Sequence, residues 1–492
     1  MKYYSTRDVN KEKFDSAQVI KQGLAADGGL FIPECIPEIT KSDICEMQKM
    51  SYAERAAKIL SMFLTDYTYD ELISDCKAAY CEDSFPGGAA PLNKVTEYIY
   101  SLELWHGPTA AFKDMALQIM PRLLSRALVK TGENNTALIL VATSGDTGKA
   151  ALEGYKDIDR IKIMVFYPVD GVSKVQKLQM ATQTGSNVNV YAIKGNFDDA
   201  QSGVKKIFSD KSAAEKLLDG GYILSSANSI NWGRLVPQIV YYVSAYCDML
   251  ERGDIAYGET VNVCVPTGNF GNIFAAYIAK LMGLPLGKLI CASNSNNVLT
   301  NFLESGTYDR NRKFYTTMSP SMDILISSNL ERLLCFAAGE EKTAGYMAEL
   351  ASTGKYTVDE TTKAAIEETF VGFCADEVET ASTLKEFYEK YEYLADTHTS
   401  VALNCALKYI KQYNDGKKVI VASTASPYKF AADVYKSITA TAAESDTAAL
   451  DQLSELTATE ISYPLRNLTE RKVNFNTVIE PAEMLDAVYK FM

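Results

Sequence analysis

The sequence predicts an α/β protein: two doubly wound, mostly parallel-sheet subdomains with an additional N-terminal domain. Three observations carry this. Short apolar strand patterns alternate with helical ones over most of the chain. Two glycine-punctuated turns stand where such strands run into helices, which is where parallel sheets bind ligands. Pro86-Gly-Gly88 separates this region from an earlier stretch with another rhythm, and at 492 residues the chain is too long for one core.

The elements follow in order. Residues 1–95 alternate helical stretches, Lys11 to Gly23 and Tyr52 to Leu64, with the loop Ala25-Ala-Asp-Gly-Gly-Leu-Phe-Ile-Pro33. Strands are predicted at Ala137 to Thr143, Ile161 to Tyr167, Val188 to Ile193, Val261 to Thr267, Lys288 to Ala292 and Val419 to Ser423. We expect subdomains at 96–235 and 236–492. The segment from about 336 to 415 reads as helical and charged, without visible chemistry, and Thr439 to Ala449 as a loop.

Composition narrows the function. A net charge of −13 disfavours nucleic acid and acidic membranes, because no excess of cations is present to neutralise phosphates. No apolar run is long enough to cross a bilayer, so a soluble, cytoplasmic protein is expected, and the sequence leaves its oligomeric state, monomer or homodimer, open. Ten scattered cysteines without a Cys-x-x-Cys pair read as reduced core residues. Only His106 and His398 are present, which excludes a metal site built from several histidines.

Lys113 lies in His106-Gly-Pro-Thr-Ala-Ala-Phe-Lys-Asp114, an amine among small and apolar residues. Such a setting lowers a lysine's pKa and suits imine chemistry, although the edge of an amphipathic helix looks the same. Ser144-Gly-Asp-Thr-Gly148 offers two hydroxyls and free amides at a helix start, a cradle for an anion or a plain strand-to-helix turn. A Walker A loop fails there, since Thr143 and Ala150 replace the required Gly and Ser or Thr. Gly268-Asn-Phe-Gly-Asn272 reads as a phosphate turn, and Phe274 in place of a third glycine argues against a dinucleotide. Ser423-Thr-Ala-Ser-Pro427 ends a strand and either faces a heterocycle nitrogen or caps the following helix.

Taken together, these motifs, with Tyr3-Tyr-Ser-Thr-Arg7, Asn228-Ser-Ile-Asn-Trp232 and Met322-Asp-Ile-Leu-Ile-Ser-Ser-Asn-Leu-Glu-Arg332, resemble the longer bacterial and fungal threonine synthases, pyridoxal-phosphate enzymes of the tryptophan-synthase-β type. The resemblance runs from residue 3 to about residue 430. It implies pyridoxal 5'-phosphate carried on Lys113, with its phosphate held by Gly268, Asn269, Phe270 and Asn272 and its ring nitrogen facing Thr424. Ser144, Gly145, Asp146 and Thr147 would surround the amino-acid end of a phospho-amino-acid substrate, and Lys174, Arg234 and Arg332 are candidates for its phosphate. The implied reaction is a lyase step in threonine biosynthesis, from O-phospho-L-homoserine to L-threonine. Rivals are a serine or threonine dehydratase-like enzyme, a non-catalytic phospho-amino-acid-binding relative, and a kinase. One departure is Ser426, where the family commonly has His.

Overall fold

A computed structural model describes residues 1–492 except Ser144 and Gly171. Its first part is a small antiparallel pair, Tyr3–Ser5 with Phe31–Pro33, set among helices Ser16–Gln22, Lys41–Met47, Tyr52–Phe63 and Tyr69–Ala79. Asp15, Thr40, Ser51 and Thr68 each begin one of these helices with a reciprocal capping box, so the helix starts are written locally in the sequence.

Two sheets follow. The five-stranded sheet runs in the order Val478–Ile479, Val188–Ile193, Ile161–Pro168, Thr136–Ala142 and Tyr222–Ser225, all parallel. The six-stranded sheet runs in the order Phe370–Cys374, Leu286–Ser293, Val261–Pro266, Val419–Ser423, Ile99–Glu103 and Leu92–Lys94. It is parallel except for its last pair. Central strands such as Val261–Pro266 and Val419–Ser423 are buried along their whole length, as a sheet covered on both faces requires.

All six predicted strands are present, their ends shifted by no more than two residues. The strands Ile99–Glu103 and Phe370–Cys374 were not predicted. Sheet membership does not follow the linear cuts at 95 and 235. Ile99–Glu103 pairs with Val419–Ser423, and the C-terminal Val478–Ile479 joins the sheet of residues 136–225. The chain therefore crosses from one sheet to the other just after Glu103, and Lys113 lies on that crossing segment. All ten cysteines are free thiols. Among the described residues, no helix is long and apolar enough to cross a membrane.

Candidate active site

Lys113 immediately precedes the short helix Asp114–Leu117. The segment before it is pinned to the six-stranded sheet: Phe112 N–H donates to Thr424 O at 2.8 Å, and Ala111 bridges Ala425. Thr424 and Lys113 are thereby brought side by side from distant parts of the chain. Asp114 fixes the loop from within, accepting from Thr109 N–H at 2.9 Å and from the Thr109 hydroxyl at 2.7 Å. Burial nevertheless raises its carboxyl to about 6.

The Lys113 side chain is 11% exposed, and its amine lies 3.6 Å from Asp146 Oδ2. Burial lowers its pKa; Asp146 works against that shift, whereas the charges of Lys429 and Arg234 add to it. Asp146 is itself buried and held well below the ordinary carboxylate range, because the cations Lys429 and Lys113 and the Gln176 amide outweigh its desolvation. Lys429 Nζ lies 3.1 Å from Asp146 Oδ1 and donates to Thr109 O at 2.7 Å, while Gln176 Nε2 donates to Asp146 Oδ1 at 2.8 Å. The result is a dry cluster in which a permanent anion faces a loosened amine.

The first glycine turn differs from expectation in one respect. Its amides are partly used, since Thr143 Oγ1 accepts from Gly145 N–H at 3.0 Å and from Gly148 N–H at 2.9 Å. Gly145 has φ 142°, a conformation that strains any residue with a Cβ, so glycine suits this position. Thr147 lies in the helix Asp146–Tyr155 that begins at this turn. The Ser144 assignment lies outside the described residues.

The second turn opens a buried helix. Phe270 adopts the left-handed conformation, φ 62°, at the start of the buried helix Gly271–Leu281. That geometry turns free main-chain amides toward the helix axis, where an anion is favoured. Asn269 O accepts from both the main chain and the side chain of Asn329, and Gly268 O accepts from Ser327 Oγ at 2.7 Å. Asn272 Oδ1 accepts from the Tyr242 hydroxyl, while Asn272 Nδ2 is buried without a partner among the described residues. An orphaned donor beside a helix N-terminus fits the oxygen of a bound phosphate.

Ser321 joins the two halves. Its carbonyl lies 2.6 Å from where a Cβ on Gly268 would stand, and its hydroxyl lies 3.4 Å from both Lys113 Nζ and Asp146 Oδ2. Behind it, Ser321 N–H donates to His398 Nε2 at 3.1 Å. His398 belongs to the segment 336 to 415, read as carrying no visible chemistry, and this contact brings it to the edge of the site. The histidine is the second residue of the helix Thr397–Tyr413, where the Asp396 cap holds it.

The three candidate phosphate cations are placed differently. Lys174 is exposed at the start of the helix Lys174–Ala181. Arg234 is buried, donates to Ala227 O at 2.8 Å and keeps Nε without a partner among the described residues; burial lowers it to about 10. Arg332 is fully buried, lowered to about 9, and donates to Phe31 O at 3.0 Å, Ile230 O at 2.6 Å and Asn329 Oδ1. Ser426 caps the turn Pro427–Phe430 and meets Ser462 Oγ at 2.6 Å.

Sequence reasoning passed over Lys429, Ser321 and His398. Two weak signals pointed to them: Lys429 is a lone cation in an apolar run after Pro427, and His398 is one of only two histidines.

A lysine softened by burial, a glycine turn at a helix N-terminus and a two-sheet scaffold come together here. The pyridoxal-phosphate dependent enzyme family model matches residues 88–425, and a threonine synthase N terminus model matches residues 2–80. The chain belongs to the pyridoxal-phosphate dependent enzymes, a family whose cofactor is pyridoxal 5'-phosphate. Within that class it belongs to the threonine synthase family. It is 37% identical to threonine synthase of Pseudomonas aeruginosa over 444 residues, covering 89% of this chain and 90% of the other. The pyridoxal-phosphate-bound crystal structure of threonine synthase from Brucella melitensis superposes with a TM-score of 0.88 at 36% identity, covering 100% of this chain and 99% of that one. Human threonine synthase-like 1 is 40% identical over 460 residues, covering 89% of this chain; the chain spans 60% of that relative's length.

Proposed function

We propose that this chain is a threonine synthase, converting O-phospho-L-homoserine and water into L-threonine and inorganic phosphate. The observation that carries the reading is the Lys113 amine, nine-tenths buried and 3.6 Å from a buried carboxylate, bridged through Ser321 to the phosphate turn at Gly268. When bound, pyridoxal phosphate supplies an electron sink for the pair released at Cα. Gly268, Asn269, Phe270 and Asn272 would hold its phosphate, and Thr424 would face its ring nitrogen without forcing a proton onto it.

The remaining work falls to side chains of this chain. Lys113, neutral more readily than an ordinary lysine, takes the Cα proton and can serve again at Cβ. Loss of the Cβ proton lets the γ-phosphate depart with its bonding pair; one proton returned through the lysine makes Cγ a methyl group, water adds its hydroxyl at Cβ and its other proton offsets the phosphate's charge, and the second proton returns at Cα. Asp146 stays ionised throughout, and with Gly145, Thr147 and Ser144 it would surround the amino-acid end, its charge suited to an ammonium group. Of the candidate phosphate cations Lys174, Arg234 and Arg332, we favour Arg234, because its Nε has no partner among the described residues, whereas Arg332 spends its donors on Phe31 O, Ile230 O and Asn329 Oδ1.

The proposed setting is the cytoplasm, as a monomer or homodimer acting on a small phospho-amino acid; the charge of −13 argues against nucleic acid and membrane as partners. The test is to incubate the holoenzyme with O-phospho-L-homoserine. Threonine and phosphate are expected in equal amounts. Oxoacid and ammonia from serine or threonine, with no threonine formed from the phosphate ester, would place the chain with the dehydratase-like enzymes instead.

A further inference from the structure

We propose that His398 is a positioning residue: its neutral ring holds the Ser321 main chain so that the Ser321 hydroxyl orients the Lys113 amine. This rests on the function proposed above and adds to it two residues outside the sequence motifs.

The argument begins at Asp396, which is fully buried and caps the helix Thr397–Tyr413. Its Oδ1 accepts from Thr399 N–H at 3.0 Å, and its Oδ2 accepts from His398 N–H at 2.9 Å. Oδ2 also lies 2.7 Å from His398 Nδ1. A carboxylate has no hydrogen to offer, so Nδ1 carries a proton; a main-chain N–H can only donate, so Nε2, which faces that of Ser321, presents its lone pair. That lone pair accepts the Ser321 N–H at 3.1 Å. The ring is 2% exposed and packs on Phe430 with centroids 4.7 Å apart, so no water competes for the contact. The charged groups that face it are Asp396 and, farther off, Asp146 and Asp433.

Ser321 is where this support reaches the chemistry. Its hydroxyl accepts from Lys113 Nζ and donates to Asp146 Oδ2, both at 3.4 Å, while its carbonyl backs Gly268. A lysine side chain has four rotatable bonds, and a hydroxyl fixed from behind restricts the direction in which its lone pair points. Reaction geometry of that kind is lost with displacements of about 1 Å. A histidine that only filled space would not need an acceptor at Nε2.

The test uses the holoenzyme and the variants His398→Asn, His398→Gln, Ser321→Ala and the double variant His398→Asn/Ser321→Ala. Glutamine can place an acceptor near the position of Nε2, whereas asparagine reaches only the position of Nδ1. We expect His398→Asn and Ser321→Ala each to lower kcat about 10- to 100-fold, with KM changed by less than about threefold. The double variant should be no worse than the weaker single, because the two residues act in series. His398→Gln should retain kcat within about threefold of wild type. The pH midpoint of the visible cofactor band should move in His398→Asn and Ser321→Ala and stay in His398→Gln.

Independent, multiplying losses, or a glutamine variant as poor as the asparagine one, would overturn the proposal. Should His398→Asn not fold, Ser321→Ala decides: an unmoved band and wild-type kcat overturn it. If the wild type takes up cofactor but makes no threonine, the proposed function falls, and the band midpoints still test His398.

Discussion

At Lys113 the burial that lowers the amine's pKa has a consequence for stability. Between its lowered pKa and the ordinary lysine value of about 10.4, the folded chain binds fewer protons than the unfolded chain. The contribution to stability from this group is therefore complete above the unfolded pKa and is lost as pH falls through the folded one. In the cofactor-free protein, Lys113→Met should raise the melting temperature at pH 7, and the difference from wild type should shrink as pH rises toward 10. Thermal denaturation across that range measures it, and a pH-independent difference would show that the amine is solvated. Lys113 was singled out in the sequence as an amine among small and apolar residues, a setting it shares with the edge of an amphipathic helix, and only the set of motifs around it gave it a role. Lys429 was not, because its meaning comes from Asp146, which lies far away in sequence and is brought within 3.1 Å only by the fold.

Among the elements, the distance between Lys113 and Asp146 depends on how closely two helices pack. Asp114–Leu117 and Asp146–Tyr155 meet at Gly154, where a Cβ would lie 1.9 Å from the carbonyl oxygen of Leu117. Main chain cannot yield as a flexible side chain does, so Gly154→Ala is expected to cost about 3 kcal/mol and to lower cofactor affinity by spreading the two helices. Chemical denaturation with a cofactor titration checks both; a variant with wild-type stability and affinity would contradict this packing. The strands were legible because buried parallel strands are continuous apolar runs bounded by turn residues. Ile99–Glu103 escaped because its sequence, Ile-Tyr-Ser-Leu-Glu, is neither a continuous apolar run nor a regular alternation, although all five residues are buried. Its polar side chains find internal partners, Ser101 with Tyr393 and Glu103 with His106 and Tyr393, and periodicity does not show that.

Across the whole molecule, the helix Leu330–Ala338 is one of several elements that fasten the N-terminal region to the two-sheet scaffold, beside contacts such as Arg55 with Asp248 and Arg126 with Asp75. Glu331 accepts from the Thr6 hydroxyl at 2.6 Å and pairs in bidentate fashion with Arg7, both contacts at 2.8 Å. Arg332 reaches from the same helix to Phe31 O. Arg332→Met would strand buried carbonyls and is expected to cost about 3 kcal/mol, seen as a lowered melting temperature with little change in KM. An unchanged melting temperature with a large rise in KM would instead give Arg332 to the substrate phosphate. The sequence motif around Arg332 was legible, but its partners were not: each is more than a hundred residues away except Asn329. The two-sheet architecture was legible as alternation, whereas the exchange of Ile99–Glu103 and Val478–Ile479 between sheets is a long-range pairing that local patterns do not encode.

The central claim is that Lys113 carries the cofactor, and reductive trapping tests it most directly. The protein reconstituted with pyridoxal 5'-phosphate is treated with borohydride and digested, and the tagged peptide is sequenced, with Lys113→Ala treated in parallel. The tag is expected on Lys113 in the wild type, with the variant unlabelled. A tag on Lys429 or any other lysine, or a wild-type protein that stays colourless with the cofactor, would contradict the account.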